Sequence, residues 1–294
     1  MRLQKSLQKL RFNMAKEEVV HQHTVPVCYL ANFGVNGNQG RKSKICFCNV
    51  IDRKYGLASV EKMPVENCFY DIEELGEDKQ IIENLLGEVE GNFAELLRKI
   101  LGSVILDEKE RTENKISLTD SERKQLSFQL AMQITRSRDF RNYFEDFYLQ
   151  SKSSFNGFVE IPEYTKDDFQ QWHTTDILSF RSSKFYTNLL DDRHVLFLIN
   201  HTDVPFITSD NPVIKIDNRK SKVQPISPAS KEITFFFPLS PDVAIEVFHK
   251  ELLKEDLLCL DIYSEKIIAT YNYNLINNAT RFLFFNKKLN PNNK

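Results

Sequence analysis

Residues 45–51, Ile-Cys-Phe-Cys-Asn-Val-Ile, combine alternation with β-forming side chains and predict a strand. Asp52 to Gly56 reads as a turn, and residues 57–60 as the returning arm of a hairpin. Residues 68–70, Cys-Phe-Tyr, are a further short apolar piece. From Glu77 the apolar steps lengthen to three and four. Ile82, Leu85, Leu86, Val89, Phe93, Leu96, Leu97 and Ile100 mark one face of a helix of about seven turns. Gly87 and Gly91 inside it suggest that another element packs closely there. Residues 107–114 form a charged loop. Thr119 and Glu122 have the spacing of a capping box, and Leu126, Leu130, Gln133 and Ile134 share the face that follows. Phe140, Phe144, Phe147 and Tyr148 continue that face. A second box, Thr165 with Asp168, opens a helix running through Trp172, Ile177 and Phe180. The strand rhythm then returns at 194–200, 205–209, 212–216, 233–237 and 243–248. A helix over 265–279 and a strand over 281–285 close the pattern.

Helices gather in the middle and strands at both ends, with no internal repeat. The predicted class is α+β: a mostly antiparallel sheet, built from N- and C-terminal segments, packed on a central helical layer. Residues 17–286 read as one domain, flanked by a basic segment over 1–16 and a polar tail over 287–294.

Composition narrows the classes. In 294 residues, 41% are hydrophobic and 27% charged, which excludes wholesale disorder. Only 9 glycines argue against a Gly-rich nucleotide fold. The net charge of −2 excludes a globally basic nucleic-acid coat, though not a local patch. Five cysteines, an odd number without a CxxC pair, read as buried reduced thiols and point to a cytoplasmic setting. No apolar run approaches the roughly 20 residues of a membrane helix. Residues 1–16 carry five cations and no acid, with Leu3, Leu7 and Leu10 on one helical face. They read either as a floppy tail ahead of a start at Met14 or as a weak membrane or partner anchor. No secretory signal follows.

The residues able to carry chemistry are scattered. His21 and His23 lie i, i+2 on an extended segment, one face apart from Gln22. Glu83 and Glu90 sit two turns apart beside an apolar stripe. Gln133 occupies a position where the pattern calls for an apolar residue, and Arg136 follows one turn on, suited to phosphate, carboxylate or a fold-fixing pair with Glu83 or Glu90. Asp210 lies in Thr-Ser-Asp-Asn-Pro, residues 208–212, either holding a turn or presenting a carboxylate at a strand end. Ser-hydrolase, zinc-protease, P-loop and dinucleotide-binding motifs are missing from the sequence.

The expected constellation is His23, Glu90, Gln133, Arg136 and Asp210 converging in one pocket. It would serve phosphodiester hydrolysis, with His23 as acid/base and Arg136 on the phosphate. The alternative is a binding or defence component in which the same residues are a structural network. No cofactor and no tightly bound metal are expected; a metal, if held, would fall to His21, His23 and Asp210. Ligands would be a small molecule or short nucleic acid, with any nucleic-acid contact falling at Arg136, Arg138 and Arg141. Duplex DNA would bind no tighter than about micromolar, because Arg41-Lys42-Lys44 and Lys215-Arg219-Lys220-Lys222 are separated by acidic stretches.

Taken in order, the motifs resemble an uncharacterised microbial family, domain of unknown function 4238 (DUF4238). The resemblance rests on His23, Pro26, Tyr29, Leu30 and Phe33, then Phe69-Tyr70, Glu83 and Glu90, Gln133 and Arg136, residues 208–212, Phe237-Pro-Leu239, and Asn274 with Ala279. It spans about 21–285. Cys28 departs from it, standing where an aromatic is usual. The resemblance implies the fold and brings no established activity. Chains of this kind are often toxins or phage-defence effectors.

Overall fold

The computed structural model describes residues 18–37, 40–105, 115–155, 160–219, 221 and 226–287. The basic segment 1–16, the loop 107–114, Lys220, Lys222 and the tail beyond Lys287 lie outside the described residues.

Short elements come first: β1 (His21–His23), α1 (Val27–Leu30), the hairpin β2 (Lys44–Asn49) and β3 (Lys54–Ser59), and β4 (Val65–Asn67). Helices follow: α2 (Ile81–Ile105), α3 (Asp120–Thr135), α4 (Arg138–Phe155), α5 (Lys166–Ser179) and α6 (Arg181–Asp191). The remainder is β5 (Arg193–Asn200), β6 (Thr208–Ser209), β7 (Ile214–Asp217), β8 (Ile233–Pro238), β9 (Val243–His249), β10 (Leu258–Ile262), α7 (Glu265–Asn278) and β11 (Phe282–Phe285). The class is α+β, as the sequence rhythm predicts.

The strands form three sheets rather than one. A five-stranded sheet runs β10-β5-β9-β8-β7, a four-stranded one β3-β2-β11-β6, and β1 pairs with β4. The pairings are antiparallel except β10 on β5. Among the described residues, only the four-stranded sheet joins N- and C-terminal segments: Phe284 of β11 stands opposite Phe47 of β2.

The five-stranded sheet is covered on both faces, so its strands lose the alternation of a half-solvated strand. Every residue of β8 is buried. Phe235 and Phe237 join a core with Tyr29, Phe93, Leu97 and Ile100, while Phe236 on the other face meets Ile268, Leu275 and Phe285. The long helix α2 divides its stripe. Phe93 to Val104 serve the main core, and Ile82, Leu86 and Val89 serve a smaller one with Phe69, Tyr70 and Ile177.

Both capping boxes form. Thr119 and Glu122 bond reciprocally at the start of α3, as do Thr165 and Asp168 at α5. Each Thr→Ala change is expected to lower stability by about 1 kcal/mol in urea unfolding.

Several local expectations change. A Cβ on Gly87 or Gly91 would meet nothing within 4 Å, so these glycines mark an exposed side of α2 and not a close crossing. The helical face does not run from α3 into α4 without interruption: the helix breaks at Arg136-Ser137. That break lets α3 carry Arg136 and α4 carry Arg138 and Arg141 in different directions. Helix α6 fills a stretch that the sequence pattern leaves unassigned. Phe180 takes a left-handed conformation, φ 52°, and the chain turns there without a glycine or proline to announce it. None of the five cysteines forms a disulfide. Among the described residues, no helix is long and apolar enough to cross a membrane.

Candidate functional site

The segment His23, Pro26, Tyr29, Phe33 lies against the helices and the main sheet. Tyr29 is fully buried; its hydroxyl donates to Pro238 O at 2.8 Å and accepts from Thr208 Oγ1 at 2.6 Å. Its ring stacks on Phe237 with centroids 4.8 Å apart. Cys28, where the family-like pattern prefers an aromatic, has its thiol pushed up to about 12 by burial and by the nearby Glu90 charge. A thiol held that high is not a nucleophile.

Arg136 is the hub of the expected set. It is 1% exposed, and one turn of α3 after Gln133 sends it between α2 and β1. Nη1 donates to Glu90 Oε1 at 2.9 Å and Nη2 to the carbonyl of His23 at 2.6 Å. Its own carbonyl accepts from Tyr70 Oη at 2.8 Å. Tyr70 N in turn donates to Gln22 Oε1 at 2.6 Å, and Gln22 Nε2 donates to Asp71. Three expected residues therefore meet: His23, Glu90 and Arg136. Their meeting is a network that ties β1 to two helices. Burial lowers His23, and its Nε2 contacts Glu61 O at 3.0 Å.

Gln133 is buried one turn earlier on α3, and its Oε1 has no partner among the described residues. Asp210 is engaged elsewhere. Its Oδ1 accepts from Thr280 N at 3.0 Å and its Oδ2 from Arg281 N at 2.7 Å. The carboxylate thus clamps the 208–212 turn onto the start of β11. Burial raises it to about 6 against the pull of those amides. Asp210→Ala would take the acceptor from two part-buried amides and is expected to cost about 1 kcal/mol in urea unfolding.

His21 is exposed, with Nδ1 2.9 Å from Asn67 Oδ1. Among the described residues no group of three His, Cys, Asp or Glu side chains is placed to hold a metal. His21, His23 and Asp210 therefore form no such group.

Sequence reasoning missed the more exposed site next door. A cleft of about 340 Å³ is lined by Arg138, Arg141, Asn142, Glu145, Phe169 and Gln170, with Lys166 and Asp167 from the first turn of α5. Among the described residues, Arg141 is fixed there by neutral groups. Nε donates to His173 Nδ1 at 3.2 Å, Nη1 to Gln170 Oε1 at 3.4 Å, and Nη2 to Phe69 O. The guanidinium carbon lies 3.5 Å from the centroid of the Phe69 ring. Burial lowers Arg141 to about 10, and Arg138 nearby adds to the fall. Arg138 itself is paired with Glu66.

His173 completes the support. Its Nδ1 accepts from Arg141, so its Nε2 carries the hydrogen and donates to Thr135 O at 2.8 Å. Burial, with Arg141 beside it, holds His173 down at about 3, a neutral ring at any ordinary pH. No local signal betrays this pair, which is separated by 32 residues in sequence. Arg141 was visible only as one of a basic trio, and Arg136 leaves that trio because it is buried.

Comparison places the chain. The model of the family described as protein of unknown function (DUF4238) matches residues 21–289, and the chain belongs to that family. No curated protein and no solved structure matches it.

Proposed function

We propose that the protein binds a phosphate-bearing ligand in the cleft between α4 and α5, with Arg141 as the main cationic contact. What supports the reading is how Arg141 is held. A guanidinium has five N–H donors. Three go to neutral acceptors, which fix the group without cancelling its charge. Among the described residues it has no carboxylate partner, and a largely desolvated, positioned guanidinium suits a phosphate oxygen pair. Lys166 adds a second cation at the cleft.

The test is thermal-shift titration with inorganic phosphate and nucleotides. Wild type is expected to gain stability with ligand concentration, and Arg141→Gln to lose at least about tenfold in affinity while keeping its near-UV circular dichroism. A folded Arg141→Gln that binds like wild type would sink the reading. Duplex DNA is expected to bind no tighter than about micromolar in a gel shift, since the cleft also carries Glu145 and Asp167.

Phosphodiester hydrolysis by His23, Glu90, Gln133, Arg136 and Asp210 is the second reading. Asp210 favours it, since a carboxyl raised to about 6 suits acid/base work. Against it, His23, Glu90, Arg136 and Asp210 are spent on one another and on backbone groups. A toxin or phage-defence role belongs with that reading. Growth arrest on bacterial expression, relieved by His23→Ala in a protein that still folds, would favour it over ligand binding alone.

A further inference from the structure

Building on the phosphate-binding reading, we infer that the ligand is a small phosphomonoester bearing neighbouring hydroxyls, a sugar phosphate or mononucleotide, and not a nucleic-acid strand. The charges that line the cleft are of both signs. Arg141 and Lys166 offer positive charge, Arg138 is already paired with Glu66, and Glu145 and Asp167 contribute two carboxylates. A strand would bring further phosphates along the groove, and two carboxylates beside the first phosphate site would repel them. A carboxylate is instead the natural acceptor for a hydroxyl pair, as where an acid reads ribose hydroxyls in a dinucleotide site.

Size agrees. A volume of about 340 Å³ is at the small end of ligand pockets and suits one small phosphomonoester rather than a strand. Asn142 supplies an amide of either polarity for the remaining sugar oxygens. The two residues with the sharpest assignment lie on one face of α4, four apart: Arg141 for the phosphate and Glu145 for the hydroxyls.

Isothermal titration of the full chain separates the possibilities. The probes are inorganic phosphate, ribose 5-phosphate, 2-deoxyribose 5-phosphate, AMP and a short thymidine oligonucleotide. Ribose 5-phosphate or AMP is expected to bind at least about tenfold tighter than inorganic phosphate. The deoxy sugar should fall between them. Which of ribose 5-phosphate and AMP binds tighter distinguishes a sugar site from a nucleotide site. Glu145→Gln should erase most of the ribose advantage and bind inorganic phosphate at least as tightly, because a negative charge is gone. If the oligonucleotide binds tightest and Glu145→Gln strengthens every probe, the ligand is a polyanion: this inference fails and the phosphate reading survives. If no phosphate-bearing probe binds, both fail. Equal binding of inorganic phosphate and ribose 5-phosphate overturns the inference alone.

Discussion

Arg136→Ala is expected to destabilise the protein by about 3 kcal/mol in urea unfolding, more than any other single change in the polar network. Breaking a buried ion pair costs about 3 to 5 kcal/mol. The lower end applies because Glu90 keeps 25% of its side chain exposed and regains water when its partner leaves. The carbonyl of His23 loses its donor at the same time. Arg136→Lys should recover less than half. An ammonium is a point charge and cannot span a carboxylate and a carbonyl with the fork that Arg136 uses. A loss below about 1 kcal/mol for the alanine variant would mean that the network does not hold β1 to the helices.

The second large effect is a gain. Glu246 sits in the middle of β9, buried against Tyr271, whose ring stacks on Phe236 with centroids 4.6 Å apart. Burial raises Glu246 to about 7 from an ordinary 4.5, only partly offset by its hydrogen bond with Tyr271. The folded state therefore keeps a proton that the unfolded chain gives up. The contribution is fully present below about pH 4.5 and is lost as pH rises through about 7. Above that, holding a buried carboxylate costs roughly 3 kcal/mol, at about 1.4 kcal/mol for each pH unit. Glu246→Gln should recover most of this at pH 8 and almost none at pH 4. Unfolding curves at the two pH values check it; an equal effect at both would contradict the assignment.

These two residues differ in how far the sequence disclosed them. Arg136 stood out because Gln133 and Arg136 interrupt an apolar stripe, and the pair with Glu90 was one of the alternatives the spacing allowed. Glu246 left a plain signal that went unread: a single acid in an otherwise apolar strand. The long helix α2 was legible because its stripe repeats over many turns, and the capping boxes because they are local. Helix α6 was not, since Phe180 turns the chain in a conformation that usually selects glycine. Strand β10 was hidden because its partner β5 is about 60 residues away and parallel to it, a pairing that turn chemistry does not announce.

The cleft was the least legible feature. Its decisive contacts join Arg141 to Phe69, Gln170 and His173, residues brought together only when α4, α5 and the segment after β4 have packed. Sequence patterns report periodicity within an element, and they carry no information on which helix face meets which loop. The two polar sets also have different energetics. The Arg136 network pairs its charges and so fixes the fold. Arg141 has no carboxylate partner among the described residues, and its desolvated charge costs stability that a bound phosphate would offset under the proposed reading.

The most direct test is a crystal of the wild-type protein soaked in tungstate, a heavy-atom mimic of phosphate. The expected result is an anomalous peak in the cleft, within hydrogen-bonding reach of Arg141 and close to Lys166, that disappears in Arg141→Gln crystals grown in the same form. Tungstate bound only elsewhere on the surface, with the cleft open to solvent and empty, would contradict it.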